Sequence, residues 1–303
     1  MSESHSAGAA AESTRIKLHV LFTMDVECPG EGSNDAGFTD WTVGANAVRG
    51  YARVLAAEGW PATFFIVPEA ALHYRDLLKD VQAQGAELAL HVHPQDLGYS
   101  EYLGAYGFEE QSEILRKAMA IWQDALDLRP YSFRPGNFSA NDSTFPVLEH
   151  LGFRQGSVSA PERRMPSLRA VWTTAPKDPH FVNRANRLLP GDSSFLEVPV
   201  TVDWASMIWG GITPLDLRVE AVDARSHSFT MDKNLRRMLD QKISPMALVP
   251  MTHNYFDYSS PAEFRAMTLC GMIEHLKRLA DRYALEIAGM TLSQFRRTCF
   301  DKE

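Results

Sequence analysis

Short apolar runs alternate with longer stretches of helical periodicity along most of this chain. Residues 62–67 form a short apolar run, which is typical of a strand buried on both faces of a parallel sheet. Residues 45–58 and 109–126 instead repeat their apolar side chains at helical spacing. Because short strands alternate with helices in this way, the sequence predicts repeated β-α-β units and a parallel sheet.

The length of 303 residues suits one α/β barrel, which takes roughly 250 residues, together with a tail and insertions. We expect residues 1–15 to form a disordered tail and residues 16–303 to form a single barrel domain. Regularity lapses between about residues 160 and 194, where several prolines and six Arg and Lys side chains occur. This insertion is predicted to be either a solvated loop or a lid that meets an anionic substrate.

Composition excludes several classes of protein. The formal net charge of −8 argues against a nucleic-acid partner, and no apolar run approaches the about 18 residues of a membrane span. The first residues lack the apolar stretch of a signal peptide. Cys28, Cys270 and Cys299 are too few and too scattered for a disulfide framework and suit a reducing compartment. We therefore expect a cytoplasmic protein, and the sequence leaves open whether it forms a homo-oligomer.

Two histidines lie two residues apart directly after an apolar run. His91 and His93 follow Leu88 and Leu90, and Pro94 then ends the predicted strand because it cannot donate to a sheet ladder. Residues i and i+2 of a strand point to the same face, so both imidazoles are expected to aim at one point. Imidazole is the commonest side-chain ligand of transition metals. For the pair alone, two histidines on a surface loop is an equally good interpretation.

Polar residues recur just after other predicted strands. The active sites of parallel α/β barrels are built at this carboxyl edge of the strands. A single polar residue there carries little information, whereas five strand ends with reactive residues form a coherent group. These residues are Asp25 and Glu27, His91 and His93, Arg134 and Asn137, Asp203 and Trp204, and His253.

In order and rough spacing, these stretches resemble the five motifs of the polysaccharide deacetylases, also called the NodB-homology domain. The family motifs are Thr-Phe-Asp-Asp, a histidine pair ending in His-Pro, an Arg-Pro-x-Gly-like turn, an Asp-Trp pair and a late strand ending in histidine. The matching stretches are residues 23–27, 91–94, 133–138, 203–204 and 249–253. The resemblance covers about residues 17–290.

The resemblance implies a distorted (β/α)7-type barrel, similar to a TIM barrel. It also implies metal-dependent removal of an N-acyl (acetyl or formyl) group from an N-acylated sugar or a related small amide. Two positions depart from the family pattern. Val26 replaces a second, metal-binding Asp, so Glu27 is the nearest substitute, and Ala89 replaces the earlier histidine, so His91 must serve instead.

A divalent metal, with zinc as the expected ion, is implied at His91, His93 and one carboxylate. Glu27 is the expected carboxylate ligand, although the sequence does not decide between Glu27 and Asp25. A bound metal lowers the pKa of its water and polarises the scissile carbonyl. The family motifs therefore place the predicted metal site at the mouth of the barrel.

The remaining motif residues are given roles by the same resemblance. Asp25 is expected to accept the proton of the attacking water, Arg134 to orient Asp25 and keep it ionised, and His253 to protonate the departing amine. Trp204 could stack on a sugar face. The three predicted substrate-binding residues are Asn137, Asp203 and Trp204.

Each role has a structural alternative. Asp25 or Glu27 could cap a loop, Arg134 could form a structural ion pair, and His253 could be a packed histidine. Asp203 is equally interpretable as a turn residue.

Three other functions remain compatible with the sequence. These are an allantoinase-like hydrolase of a small cyclic amide or imide, a small-molecule amidase or deformylase, and a barrel that binds glycan without cleaving it. Retention of Asp25, both histidines, Arg134 and His253 argues against the non-catalytic barrel.

Overall fold

The computed structural model describes residues 15–30 and 40–301. Residues 1–14 of the expected tail, residues 31–39 and residues 302–303 lie outside the described residues. No described helix is both long enough and apolar enough to cross a membrane. The strands and helices of the described ranges are β1 (Ile16–Val20), β2 (Thr23–Val26), α1 (Trp41–Ala56), β3 (Thr63–Ile66), α2 (Pro68–His73), α3 (Arg75–Ala83), β4 (Glu87–Val92), α4 (Phe108–Leu126), β5 (Ser132–Pro135), α5 (Thr144–His150), β6 (Gln155–Gly156), β7 (Arg164–Met165), β8 (Ala170–Val171), β9 (His180–Phe181), β10 (Leu196–Glu197), β11 (Val202–Ile208), β12 (Thr213–Asp216), α6 (Ala224–Asp240), β13 (Met246–Leu248), β14 (Met251–His253), α7 (Phe264–Tyr283), β15 (Leu285–Gly289) and α8 (Leu292–Cys299).

The main sheet has eight strands in the order β14-β2-β3-β4-β5-β6-β10-β9. Every neighbouring pair in it is parallel except β10 and β9. A second sheet, β13-β1-β15, is parallel throughout. Helices α1 to α5 connect successive strands of the main sheet, as repeated β-α-β units require. The predicted α/β class is therefore confirmed.

Strands β1 and β2 follow one another along the chain and are separated only by Leu21 and Phe22. The division follows the change of neighbours, because β15 flanks β1 whereas β3 flanks β2. Strands β13 and β14 are separated in the same way by Val249 and Pro250, and Pro250 has no N–H to donate. Leu21 N–H still donates to Leu248 O at 2.9 Å, and Thr23 N–H donates to Pro250 O at 3.0 Å. The two sheets therefore continue into one another and form the expected distorted (β/α)7-type barrel.

The barrel has two apolar layers. Side chains on the outer face of the strands pack under the helices, and those on the inner face pack around Leu292 and Phe295 of α8, which are fully buried. Phe65 and Ala89 belong to the inner layer and lie opposite one another in β3 and β4. Because side chains alternate between faces, residues two positions beyond this layer also point inward. The carboxyl ends of the strands therefore direct their polar residues into the barrel mouth.

The irregular segment at residues 160–194 packs against this mouth. It contains the β7–β8 hairpin and the fully buried Trp172, whose indole N–H donates to Phe138 O at 2.8 Å. A second hairpin, β11–β12, follows at residues 202–216 and was not expected from the sequence. The two hairpins place Met165 and Trp209 beside the barrel opening.

Candidate active site

Glu27, His91 and His93 converge at the barrel mouth. Glu27 Oε1 lies 3.3 Å from His91 Nε2 and 3.1 Å from His93 Nε2, and the two Nε2 atoms are 3.2 Å apart. Glu27 and His91 are buried and His93 is nearly so. The strand periodicity explains the meeting, because β2 and β4 flank β3 and both direct alternate side chains inward. The structure thus brings together the three residues expected to bind a metal.

The three donor atoms fit a divalent metal. A tetrahedral zinc ion with bonds of about 2.0–2.1 Å separates its ligand atoms by roughly 3.3–3.4 Å, close to the spacing found here. His91 Nδ1 hydrogen-bonds to Arg134 O at 2.9 Å, and a carbonyl can only accept, so Nδ1 carries the proton and the Nε2 lone pair faces the cluster. Burial alone would lower the pKa of His93, yet the Glu27 carboxylate raises that pKa to about 9. The cluster therefore favours positive charge between its three donors.

Glu27 is held by residues that follow β14. Its backbone N–H donates to Asn254 Oδ1 at 2.9 Å, and Asn254 Nδ2 donates back to Glu27 O at 3.1 Å. The Tyr255 hydroxyl donates a short hydrogen bond to Glu27 Oε2, and its ring stacks on His253 with centroids 4.8 Å apart. Asn254 and Tyr255 were not predicted from the sequence to belong to the site. The only signal for them is their position directly after the histidine of the last motif.

Gly136 supports the cluster from the neighbouring strand. A Cβ atom at this position would lie 2.6 Å from Cε1 and Nδ1 of His93, so any side chain there must displace the imidazole. We expect Gly136→Ala to weaken metal binding about 10- to 100-fold, the usual cost of disturbing a group that supports a ligand. Competition with a fluorescent zinc chelator measures this loss. Gly107→Ala is the control, because its Cβ would meet only Glu110 Oε2 at 3.7 Å, and equal affinity of both variants would contradict the prediction.

Asp25 lies next to the cluster and is paired with a buried arginine. Arg134 Nη1 donates to Asp25 Oδ1 at 2.6 Å, and Nη2 donates to Thr23 Oγ1 and Ser157 Oγ at 3.0 Å each. Burial alone would raise the pKa of Asp25, but Arg134, together with smaller contributions from His91 and His253, outweighs burial and holds that pKa below its ordinary value. Asp25 is therefore an ionised carboxylate with one oxygen engaged by Arg134.

His253 faces the other oxygen of Asp25. Its Nε2 lies 4.0 Å from Asp25 Oδ2, and its Nδ1 lies 2.5 Å from Glu220 Oε1. Glu220 also accepts from the Thr252 hydroxyl at 2.7 Å. Burial lowers the pKa of His253, but the Glu220 carboxylate overcomes this and raises it above its ordinary value. Glu220 was missed by the sequence analysis because it lies outside every motif, between β12 and α6.

Glu220→Gln is expected to lower the pKa of His253, because it replaces a carboxylate by a neutral amide. A step that needs protonated His253 fails as the pH rises through this pKa, so the basic limb of the pH–rate profile should move to lower pH. Measuring kcat between pH 6 and 10 tests this expectation. Glu286→Gln is the control, since Glu286 pairs with Lys17 on the surface. An unmoved basic limb in Glu220→Gln would show that another group sets it.

The predicted substrate-binding residues do not lie together. Asn137 lines the cavity at the barrel mouth, whereas Asp203 and Trp204 are not among its lining residues. Asp203 instead pairs with Lys233 of α6, and Trp204 lies 5.0 Å from the Lys233 ammonium. The reason is the β11–β12 hairpin, which carries both residues away from the mouth. Of the three residues expected to bind substrate, only Asn137 therefore lines the cavity at the barrel mouth.

The cavity above these residues has a volume of about 680 Å³. Asp25, the three cluster residues and His253 line its floor. Residues of the two hairpins form part of its wall. This volume suits a small molecule or one or two sugar rings.

Comparison with known proteins agrees with this geometry. Residues 35–156, which include the second and third motifs, match the family model described as polysaccharide deacetylase. A structure from Mycobacterium smegmatis, assigned as a polysaccharide deacetylase, is similar with a TM-score of 0.64 at 17% identity and covers 98% of this chain and 94% of its own. No curated protein sequence matches the chain.

Two further solved structures have a TM-score of 0.59 and 14% identity to this chain. One is Puue allantoinase, with 92% of this chain and 89% of that chain covered. The other comes from Pseudomonas aeruginosa PAO1 and is assigned as a polysaccharide deacetylase, with 92% and 91% covered. At such identities these likenesses show the fold. The family match over residues 35–156 and the shared fold show that this chain is similar to the polysaccharide deacetylases, and both indicate a hydrolase of the deacetylase type.

Proposed function

We propose that this chain is a metal-dependent hydrolase that removes an acetyl or formyl group from the nitrogen of an N-acylated sugar or a related small amide. The observation that carries the proposal is that a cluster of metal-ligand side chains and an acid–base pair of side chains line the same cavity. The donor atoms of Glu27, His91 and His93 lie within 4.8 Å of one another, and Asp25 and His253 lie beside them. Amide hydrolysis needs a Lewis acid that polarises the carbonyl, a base that activates water and an acid that protonates the leaving nitrogen. This arrangement provides residues for each of these roles.

Glu27, His91 and His93 are the residues that would hold the metal, and zinc is the ion we propose. When bound, a divalent cation supplies Lewis-acid polarisation of the carbonyl and lowers the pKa of water. Glu27 is the proposed carboxylate ligand because its Oε1 faces both imidazoles, whereas Asp25 is engaged by Arg134. Two imidazoles and one carboxylate form a donor group that protein zinc sites use.

Asp25 is the proposed general base. Its Oδ1 is engaged by Arg134, so Oδ2 is the oxygen that accepts the proton of the attacking water. The low pKa of Asp25 keeps the carboxylate ionised across the neutral range. Arg134 also fixes the direction of the carboxylate, because its two other hydrogen bonds hold the guanidinium in place.

His253 is the proposed general acid. An amide nitrogen leaves poorly as an anion, so it must be protonated as the C–N bond breaks. Glu220 raises the pKa of His253 and orients the ring so that Nε2 faces Asp25 and the cavity. The Asp25 and His253 side chains therefore lie side by side at the cavity, so that Asp25 can accept a proton from water and His253 can donate a proton to the departing nitrogen.

We further propose that the substrate is a small soluble molecule met in a reducing compartment. No disulfide joins Cys28, Cys270 and Cys299 in the described part of the chain. The cavity volume of about 680 Å³ accommodates a small molecule more readily than a wide polymer surface. A cytoplasmic location is consistent with both features.

A substrate panel with metal control tests the proposed reaction. N-acetylglucosamine, its N-formyl analogue and the cyclic ureide allantoin are each incubated with the protein, with the protein plus a chelator, and with the chelated protein after zinc is restored. We expect release of acetate or formate that stops with chelator and returns with zinc. Turnover of allantoin alone would assign the chain to cyclic amides, and turnover unaffected by chelation would contradict the metal-dependent mechanism.

A further inference from the structure

Two arginines, Arg163 buried and Arg218 half-buried, line the cavity and have no part in the mechanism above. Arg163 comes from the irregular segment and Arg218 follows β12, and both line the same cavity as Asp25 and His253. The Arg163 residue is only 3% exposed and the Arg218 side chain 16% exposed. A buried guanidinium is costly without a counter-charge. The two residues therefore need an anionic partner at this wall.

The available anions do not balance these two charges. Asp216 is the carboxylate nearest to both, with Oδ2 at 3.1 Å from Arg218 Nη2 and 3.8 Å from Arg163 Nη2. The other carboxylates at the cavity have partners of their own, since Asp25 pairs with Arg134 and Glu220 with His253. Two guanidinium groups thus share one carboxylate. The wall retains about one positive charge.

The hydrogen-bonding capacity of the two arginines is also incompletely used. Arg163 donates to Asn137 O at 3.1 Å and to Thr213 Oγ1 at 3.3 Å, but its Nη2 is too far from Asp216 for a hydrogen bond. The buried Nε of Arg218 has no acceptor in the described part of the chain. Buried donors are normally satisfied, and carboxylates accept from guanidinium groups in pairs. The wall therefore presents donors as well as charge.

We propose that the substrate carries a carboxylate and that Arg163 and Arg218 bind it at this wall of the cavity. The inference rests on the proposed function for the identity of the scissile amide and adds the chemical class of the rest of the substrate. One unbalanced positive charge matches a monoanion better than a phosphate dianion. A planar guanidinium also suits the two oxygens of a carboxylate. The substrate class is thus an N-acylated acid, such as an N-acylated sugar acid.

A matched pair of ligands tests the inference by binding. The probes are 2-acetamido-2-deoxyglucuronate and N-acetylglucosamine, which differ only in a carboxylate or a hydroxymethyl group at one carbon. Calorimetric titration of the Asp25→Asn full chain measures binding without the proposed hydrolysis. We expect the acid to bind about 10- to 100-fold more tightly, as for hydrogen bonds to a charged group. Equal affinities, or no measurable binding of the acid, would overturn the inference.

Arg218 variants test whether this residue causes the tighter binding of the acid. Arg218→Gln is expected to reduce the preference for the acid to below about 3-fold while the affinity for N-acetylglucosamine stays the same. Arg218→Lys keeps the positive charge but loses the planar pair of N–H donors of the guanidinium group, so it should retain part of the preference for the acid. Arg184→Gln is the control, because Arg184 pairs with Glu149 on the surface and does not line the cavity. An unchanged preference in Arg218→Gln would overturn the assignment, and the ligand comparison above stands if this variant does not fold.

N-acetylglucosamine 6-phosphate provides a third ligand with a dianion. Tighter binding of this phosphate than of the uronate would overturn the carboxylate assignment. The test also separates the two proposals. A preference for the acid without hydrolysis of either ligand by the unmodified protein would support the inference and count against the proposed reaction. Hydrolysis of N-acetylglucosamine with no preference for the acid would support the proposed reaction and overturn the inference.

Discussion

Asp25→Asn is expected to lower kcat for amide hydrolysis by about 10²- to 10⁴-fold, the usual contribution of a general base. The substitution keeps the size of the side chain and an oxygen that accepts from Arg134 Nη1, which lies 2.6 Å away in the native protein. An amide cannot accept the proton of water. The measurement is kcat on the substrate that the panel identifies, together with the metal content of the same preparation. We expect the metal content to be unchanged.

Asp203→Asn is the matched control for this experiment. Asp203 also follows a predicted strand, but it pairs with Lys233 outside the cavity. Its substitution should change kcat by less than about 2-fold, since Asp203 does not line the cavity that holds Asp25 and His253. Retained kcat in Asp25→Asn would remove Asp25 from the role of base. Loss of metal in Asp25→Asn would instead show that Asp25, and not only Glu27, is a ligand.

Arg134→Met is expected to lower the free energy of unfolding by about 3–5 kcal/mol. The Arg134 side chain is fully buried, and its removal leaves the Asp25 charge without its partner. Its guanidinium also lies 4.2 Å from the centroid of the Phe65 ring, a contact that methionine only partly replaces. Urea denaturation at pH 7 measures the loss. Arg184→Met is the control and should cost at most about 1 kcal/mol, because the Arg184 side chain is 54% exposed.

The same pair makes stability depend on pH. The pKa of Asp25 is lowered in the folded protein, so its stabilising contribution is complete above the pKa of the unfolded chain and is lost as the pH falls toward the folded pKa. Arg134→Met removes the largest of the charges that lower this pKa, so the variant should lose less stability than the native protein when the pH falls below about 4. Arg134→Met/Asp25→Asn should be more stable than Arg134→Met at pH 7. Equal stability of these two variants would contradict the buried-charge explanation.

The parts of the site that strand periodicity controls could be predicted from the sequence. Glu27 lies two residues after Asp25, and His93 lies two residues after His91, so each pair shares the inner face of a strand. Strands β2 and β4 are parallel and separated only by β3, so the two pairs lie close together at the same edge of the sheet. Arg134 follows from the same logic, since it lies directly opposite His91 in β5.

The parts of the site that depend on hairpins and long-range contacts could not be predicted. Glu220 meets His253 across 33 positions of sequence, and Arg163 and Arg218 meet only because two irregular segments fold over the mouth. No periodicity connects these residues. The position of Asp203 and Trp204 could not be predicted either. An Asp-Trp pair after a predicted strand resembles a family motif, but both residues lie in the β11–β12 hairpin and do not line the cavity.

Metal content of the purified chain tests the proposed metal centre at Glu27, His91 and His93. The native protein, His91→Ala/His93→Ala and the control His73→Ala/His150→Ala are purified without chelator from zinc-supplemented cultures and analysed by plasma mass spectrometry. His73 and His150 contact Trp41 and Arg116, away from the cluster. We predict about one equivalent of zinc per chain in the native protein and in the control, and none in His91→Ala/His93→Ala. Absence of metal from the native protein, or an equal metal content in all three, would contradict the proposed metal centre.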